Sequence, residues 1–241
     1  MMSLVARGVG IDRRLQPTDL DVQGGELVAL VGPNGGGKTS LLRALARIEA
    51  ASGVVAIGGE DVDLTPLARR RHLLSFLPAS RDVTWPISAR DVIALGLDRP
   101  DAARIDELIA KFELEKLSDR PVNRLSTGER ARVLAARALV GDPKILLLDE
   151  PLSNLDPYWV LRFLVIFETA AQSGQAVLVA LHDLSLLSHF SRALLIAEGK
   201  VQMDETPASL MASERFEEIF RIKAARGGWV ISPLAGPRSS P

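Results

Sequence analysis

Four short runs of apolar residues punctuate the chain: Leu27–Val31, Ile145–Leu148, Val177–Leu181 and Ala193–Ala197. Each is too short for a helix and is bounded by polar or turn residues. Each is therefore read as a strand buried on both faces. Between the runs the apolar positions change to helical spacing. In Asp101–Leu117 the residues Ile105, Leu108, Ile109 and Phe112 fall at i, i+3, i+4 and i+7. In Thr127–Val140 the same spacing links Ala131, Leu134, Ala135 and Ala138. "LTPLARRR" predicts a helix start, with Thr65 as N-cap and Pro66 at the first helical position. Strands alternating with helices predict an α/β domain with a largely parallel sheet. From about Pro78 to Val140 the pattern is mostly helical, with no strong strand. The expected organisation is one domain over 1–234, with core segments 1–78 and 141–234 and a helical subdomain inserted at about 79–140. "AEGKV" at Ala197–Val201 predicts a tight hairpin, and residues 235–241, the end of "LAGPRSSP", a flexible tail.

The turn after the first run carries the strongest chemical signal. Gly32, Pro33, Asn34, Gly35, Gly36, Gly37, Lys38 and Thr39 fit the phosphate-loop pattern G-x-x-x-x-G-K-[ST], with a strand before and a helical stretch, Ser40–Ile48, after. Glycines let the backbone wrap closely and aim N–H groups at phosphate oxygens. The helix that opens at Ser40 adds its dipole. Lys38 suits the β- and γ-phosphates, and the Thr39 hydroxyl suits Mg²⁺. The bland alternative is a glycine-rich turn with an exposed lysine, and the flanking strand and helix argue against it.

"KILLLDEPLSNLD" adds a second signal. A buried strand does not normally end in adjacent acids, because like charges repel and desolvation penalises carboxylates. A metal beside the phosphate loop resolves the conflict. Asp149 is assigned to Mg²⁺ and Glu150 to the attacking water. Without the phosphate loop, a solvated strand end would serve equally well. A third stretch, "RLSTGERARV", places Ser126 as an N-cap, with Thr127 and Gly128 opening a helix able to receive an anion. Alone it is only a capping pattern.

Composition narrows the class. The formal net charge is -1, so no basic excess points to nucleic acid. "RRR" at Arg69–Arg71 is read as a solvated helix face. There are no cysteines, which excludes disulfides and a thiol nucleophile. The start "MMSLVARGVGIDRR" lacks a signal peptide's apolar core, and no run reaches the roughly 18 residues of a membrane span. A soluble chain is expected, whose membrane role requires a partner.

In this order the motifs resemble the nucleotide-binding subunit of an ABC transporter: phosphate loop "GPNGGGKT", signature "LSTGE", Walker B "ILLLDE", D-loop "SNLD", and the histidine of "LVALHD". The similarity runs from about Leu4 to Ile222. It implies a P-loop NTPase core of RecA-like type, an antiparallel β subdomain and the inserted helical subdomain. It implies ATP and Mg²⁺ as ligands, and Gly32–Ser40 as the nucleotide-binding loop. It also implies that two copies pair head to tail. Ser126, Thr127, Gly128 and Glu129 would then serve the partner's ATP, His182 would contact the γ-phosphate, and Asp156 would link the two sites. Transmembrane permease subunits, with a periplasmic binding protein behind them, would be the partners, and the chain would sit on the cytoplasmic face of the inner membrane. "ISARDVIALGL" and "LHDLSLLSHFSRALLIAEGKV" resemble importer ATPases for iron–siderophore, haem or cobalamin. The competing expectation is a soluble cassette ATPase acting on nucleic acid or the ribosome, to which one compact cassette without a basic stripe lends little support.

Three departures stand out. Thr127 replaces a signature glycine, and Glu129 a glutamine. Ala79 in "FLPASRDVTW" occupies the place of the family's glutamine; Ser80, Arg81 or Asp82 could substitute, but nothing in the sequence establishes it, and no direct Mg²⁺ ligand is expected from this loop. No aromatic precedes the phosphate loop to stack on adenine, Phe76 being the first, so Ile11, Arg13 or Arg14 is expected there. Trp85 has two readings, a docking anchor for the permease or a local core tryptophan.

Overall fold

The structure, a computed structural model, describes residues 3–225 and 228–232. The expected tail at 235–241 lies outside the described residues. The chain begins with β1 (Ser3–Ile11), β2 (Leu15–Gln23) and β3 (Leu27–Val31), then α1 (Lys38–Leu45), β4 (Ser52–Ile57), β5 (Glu60–Asp61), α2 (Leu67–Leu73) and β6 (Leu74–Leu77). Three helices follow: α3 (Ala89–Ala94), α4 (Ala102–Lys111) and α5 (Thr127–Val140). The chain then alternates through β7 (Ile145–Asp149), α6 (Pro157–Gln172), β8 (Ala176–Ala180), β9 (Arg192–Ala197) and β10 (Lys200–Glu205). It ends with α7 (Pro207–Met211), α8 (Glu214–Phe220), β11 (Ile222–Ala225) and β12 (Gly228–Ile231).

Two sheets organise these elements. The larger has the order β10-β9-β3-β8-β7-β6, and all of its pairings are parallel except β10 with β9. Its central strands are the continuous apolar runs read from the sequence, and each is buried along its length. Successive residues point to opposite faces. Leu27, Ala29 and Val31, with Leu146 and Leu148, enter a core shared with α3–α6. Val28, Leu30, Ile145 and Leu147 enter a second core with α1 and the smaller sheet. That smaller sheet, β2-β1-β4-β5, is antiparallel throughout.

The helices form for the reasons their sequence offers. Asp101 caps α4 by accepting from the Arg104 N–H, and Ile105, Leu108, Ile109 and Phe112 are all buried. Ser126 and Glu129 form a reciprocal capping box at α5, and Ala131, Leu134, Ala135 and Ala138 are buried. The α4 stretch ends sooner than its pattern suggests, because Glu113 turns left-handed (φ 51°) and a 3₁₀ turn at Glu115–Leu117 follows. The start of α2 also differs from expectation. Its cap position is Pro66, and the Thr65 hydroxyl instead donates to the Asp61 carbonyl at 2.6 Å. The expected hairpin is present, with Glu198 and Gly199 both at positive φ between β9 and β10. Among the described residues no helix is long and apolar enough to cross a membrane.

The parallel sheet decides where chemistry collects. In such sheets the loops at the carboxyl ends of the strands meet at one edge. Here β3 delivers the phosphate-type loop, β7 delivers Asp149 and Glu150, β8 leads into His182, and β6 leads into Ala79 and Arg81.

Candidate functional site

The loop after β3 is shaped by close approach. A Cβ on Gly32 would lie 2.0 Å from the Ile196 carbonyl oxygen of β9, so only glycine lets the chain turn there. Gly37 caps α1 with φ 113°, a conformation that L side chains rarely adopt. Lys38 follows as the first helical residue. Its side chain is buried, and its Nζ donates to the carbonyls of Gly32 (2.7 Å) and Pro33 (3.2 Å). Burial pushes the Lys38 pKa down, and the charges of Glu150 and Asp149 oppose that shift.

Asp149 closes β7 and is 1% exposed. It accepts a hydrogen bond from the Thr39 hydroxyl at 3.2 Å and another from the Ala79 backbone. Burial raises its pKa, the Thr39 bond opposes the rise, and neighbouring Glu150 adds to it. The first acid of the pair is thus a desolvated carboxyl group, whose penalty the Arg43 charge offsets only in part. Glu150 sits differently. It leaves the strand at φ 50°, and its carboxylate lies 3.5 Å from His182 Nε2 and 3.4 Å from the Ser153 hydroxyl. One cleft of about 1430 Å³ gathers the loop from Asn34 to Ser40 with Glu150 and His182. That exceeds the ~300–1,000 Å³ of common ligand pockets, as a trough without its far wall would. Gly10–Pro17 line the same cleft and supply Ile11, Arg13 and Arg14 at its edge, with no aromatic side chain among the lining residues. Arg14 is paired with Glu49, and Arg13 stands largely in solvent.

Not every sequence-derived site residue reaches this cleft. Ser126–Glu129 are absent from its lining, and Ser126 and Glu129 pair with each other: the Glu129 N–H donates to Ser126 Oγ (3.2 Å) and the Ser126 N–H to Glu129 Oε2 (2.8 Å). Asp156 caps α6 by accepting from the Trp159 N–H at 3.0 Å. Trp85 is 70% exposed, which removes the core reading. Sequence reasoning names Arg81 only beside Ser80 and Asp82, as a stand-in for the absent glutamine, and does not foresee its contacts. Its guanidinium donates to the carbonyls of Ser153 (2.6 Å), Pro151 (3.0 Å) and Glu150 (3.1 Å). A lone arginine in a loop carries no sequence signal for such a role.

Comparison with known proteins fits this geometry. The ABC transporter family model matches residues 15–153, more than half of the chain. The chain belongs to the ABC transporter family. This ABC chain is 37% identical over 219 residues to the hemin import ATP-binding protein HmuV of Streptomyces coelicolor, covering 86% of this chain and 77% of that one. It is 32% identical over 241 residues to the cobalamin import ATP-binding protein BtuD of Halobacterium salinarum, covering 94% of this chain and 61% of that one. Among solved structures, a bacterial Atm1-family ABC exporter with ATP bound superposes with a TM-score of 0.79 at 26% identity, over 90% of this chain and 41% of the other. The ABC chain is thus an ATP-binding subunit on a P-loop NTPase core, as its motif order implies.

Proposed function

We propose that the chain binds and hydrolyses ATP as the energising subunit of an importer for an iron–siderophore, haem or cobalamin. The observation that carries the reading is the convergence of Lys38, Thr39, Asp149, Glu150 and His182 at one end of the parallel sheet. Relatives named as hemin and cobalamin import ATP-binding proteins support the substrate class.

Each residue has a task. Backbone N–H groups of Gly35–Ser40 and the α1 dipole receive the phosphates. Lys38 leaves the Gly32 and Pro33 carbonyls, which hold it without a stronger acceptor, and turns to the β- and γ-phosphate oxygens. Thr39 and Asp149 supply hard oxygen donors side by side, the set Mg²⁺ takes together with substrate phosphates and water. When bound there, Mg²⁺ neutralises phosphate charge and gives the desolvated Asp149 its missing partner. Glu150 orients a water on the γ-phosphorus and accepts its proton. As the water oxygen bonds to phosphorus, the bond to the β,γ-bridging oxygen breaks, and ADP leaves with that electron pair. His182, beside Glu150, holds the γ-phosphate oxygens in register.

The far wall of the trough comes from a second copy. Ser126, Thr127, Gly128 and Glu129, spent in this chain on a helix cap, would close over the partner's ATP, with Asp156 near the junction. The capping box pre-forms a helix start whose free N–H groups suit an anion. Residues 1–234 then act as one cassette, with 79–140 as the helical part that moves against the core. A groove lined by Phe76, Val83, Leu95 and Leu134 together with Arg71, Asp82 and Arg137 suits a segment of the permease, and the exposed Trp85 offers a separate apolar anchor. The periplasmic binding protein acts through that permease. The partners place the chain on the cytoplasmic side of the membrane.

Co-expression with the permease tests this reading. The expected result is a stable complex whose ATPase rate changes with the loaded binding protein. A chain that hydrolyses ATP yet never joins the permease would remove the importer role and leave the ATPase.

A further inference from the structure

Three arginine bonds tie the loop after β6 to the turn after β7. Arg81 Nη1 donates to the Ser153 carbonyl at 2.6 Å, and Nη2 to those of Glu150 and Pro151 at 3.1 and 3.0 Å. The turn they hold is unusual. Glu150 and Asn154 both sit at positive φ, 50° and 58°, although neither is glycine. Such conformations are strained for residues with a side chain and persist where the surroundings over-determine them. The guanidinium does this by bridging the Glu150, Pro151 and Ser153 carbonyls with a rigid planar fork, which a flexible ammonium does not match.

The other side of Arg81 leads away from the sheet. Its own carbonyl accepts from Arg130 Nη1 at 3.3 Å. Arg130 lies in the first turns of α5, four residues beyond Ser126, and its Nη2 also donates to the Leu125 carbonyl at 3.1 Å. A continuous chain of contacts therefore runs from the start of α5, through Arg130 and Arg81, to the backbone of Glu150. Ala79, two residues before Arg81, binds Asp149 only through its backbone. Its methyl side chain has nothing with which to reach the attacking water or a metal. The long polar side chain that this loop does send toward the acids is Arg81.

We propose that Arg81 is the positioning residue for Glu150: it locks the Glu150–Ser153 turn in its hydrolytic geometry, and through Arg130 makes that geometry depend on where α5 lies. The inference rests on the ATPase reading and adds to it the means by which movement of the helical segment reaches the water-activating carboxylate. Arg81 is not among the residues that line the cleft of the phosphate-type loop. Its removal is expected to lower turnover and leave nucleotide capture intact.

The experiment compares the full chain with Arg81→Ala, Arg81→Lys and Arg130→Ala. It measures kcat and KM for ATP, equilibrium binding of a fluorescent ATP analogue, and thermal unfolding. For Arg81→Ala the expected result is a kcat at least ten-fold lower, with KM and analogue affinity within two-fold of the parent. Millimolar guanidinium should raise the kcat of Arg81→Ala several-fold while leaving the parent unchanged. Arg81→Lys keeps the charge but not the fork, and is expected at least five-fold below the parent. Arg130→Ala should lower kcat less, and adding it to Arg81→Ala should produce no further loss, because the two act in one chain.

An Arg81→Ala kcat within two-fold of the parent overturns the proposal. So does a fall in kcat matched by an equal fall in ATP affinity, which marks a general structural role. Should Arg81→Ala lack a cooperative unfolding transition, Arg81→Lys decides, and parental turnover in that variant also overturns the proposal. A parent chain that neither binds nor hydrolyses ATP fails at the earlier step and takes the ATPase reading down with it.

Discussion

Ser126 has two jobs in this account, and they can be separated. In the single chain it caps α5, with two reciprocal bonds at 3.2 and 2.8 Å. In the paired state it faces the partner's ATP. Replacing Ser126 with alanine removes the hydroxyl acceptor and weakens the return bond from Glu129. Losing a serine N-cap costs about 1 kcal/mol. For a domain of this length that corresponds to a fall in Tm of about 2–4 °C. Ser126→Asp behaves differently. Aspartate caps helices as well as serine does and suits the positive end of the helix dipole, so Tm should stay close to that of the parent. Its carboxylate nevertheless replaces a hydroxyl donor at the place where a phosphate must dock. Losing one donor aimed at a transition-state oxyanion costs on the order of 100-fold or more in turnover. Both variants should therefore lose ATPase activity by that order, while only Ser126→Ala loses stability. Since Ser126 lies outside the cleft of its own chain, binding of an ATP analogue to the isolated subunit should be unchanged in both. Differential scanning fluorimetry and a steady-state phosphate-release assay read the two effects independently. A Ser126→Asp protein with parental Tm and parental turnover would refute the reasoning, leaving Ser126 as a cap and nothing more.

Further outcomes follow from the same structure. Phe163 is fully buried and meets Phe112, Trp159 and Phe167 edge to face, so Phe163→Ala should lower stability by about 3–5 kcal/mol in urea titrations. Glu129 has a pKa held below its usual 4.5, chiefly by the Ser126 backbone N–H. A depressed folded pKa gives stability that is present above 4.5 and lost as pH falls through the lower, folded value. The Tm gap between the parent and Glu129→Gln should thus be constant near neutrality and close as the carboxylate is protonated in acid; a gap that persists unchanged once Glu129 is protonated contradicts the cap. With Ile11, Arg13 and Arg14 at the cleft edge and no aromatic ring to stack on the base, ATP and GTP should be hydrolysed at similar rates, and a strong ATP preference would count against that edge as the base site.

The sequence made some of this legible and hid the rest for physical reasons. β3, β7 and β8 are buried on both faces, so their apolar runs are uninterrupted and stand out. β1 and β2 pair with shifts in register between Ala6 and Val9 and again before Ile11, which breaks the alternation that would have announced them. Their place in an antiparallel sheet was expected from family resemblance alone. The Thr65 cap failed because a carbonyl four residues back, that of Asp61, captured its hydroxyl. The phosphate-type loop was legible because glycine spacing, strand and helix are all local. Its link to Asp149 joins residues 110 positions apart and was inferred from chemistry, namely that paired acids at a strand end need a cation. The bonds of Arg81 were not legible, because its three acceptors are backbone carbonyls, which look the same in every sequence.

The central claim is that Glu150 activates the water in a site completed by a second copy. Light-scattering mass measurement of Glu150→Gln, with and without ATP and Mg²⁺, tests it most directly. The account predicts a protein that binds ATP, hydrolyses almost none, and doubles in mass when ATP is added. A variant that stays at the mass of one chain while hydrolysing ATP at the parental rate would contradict it.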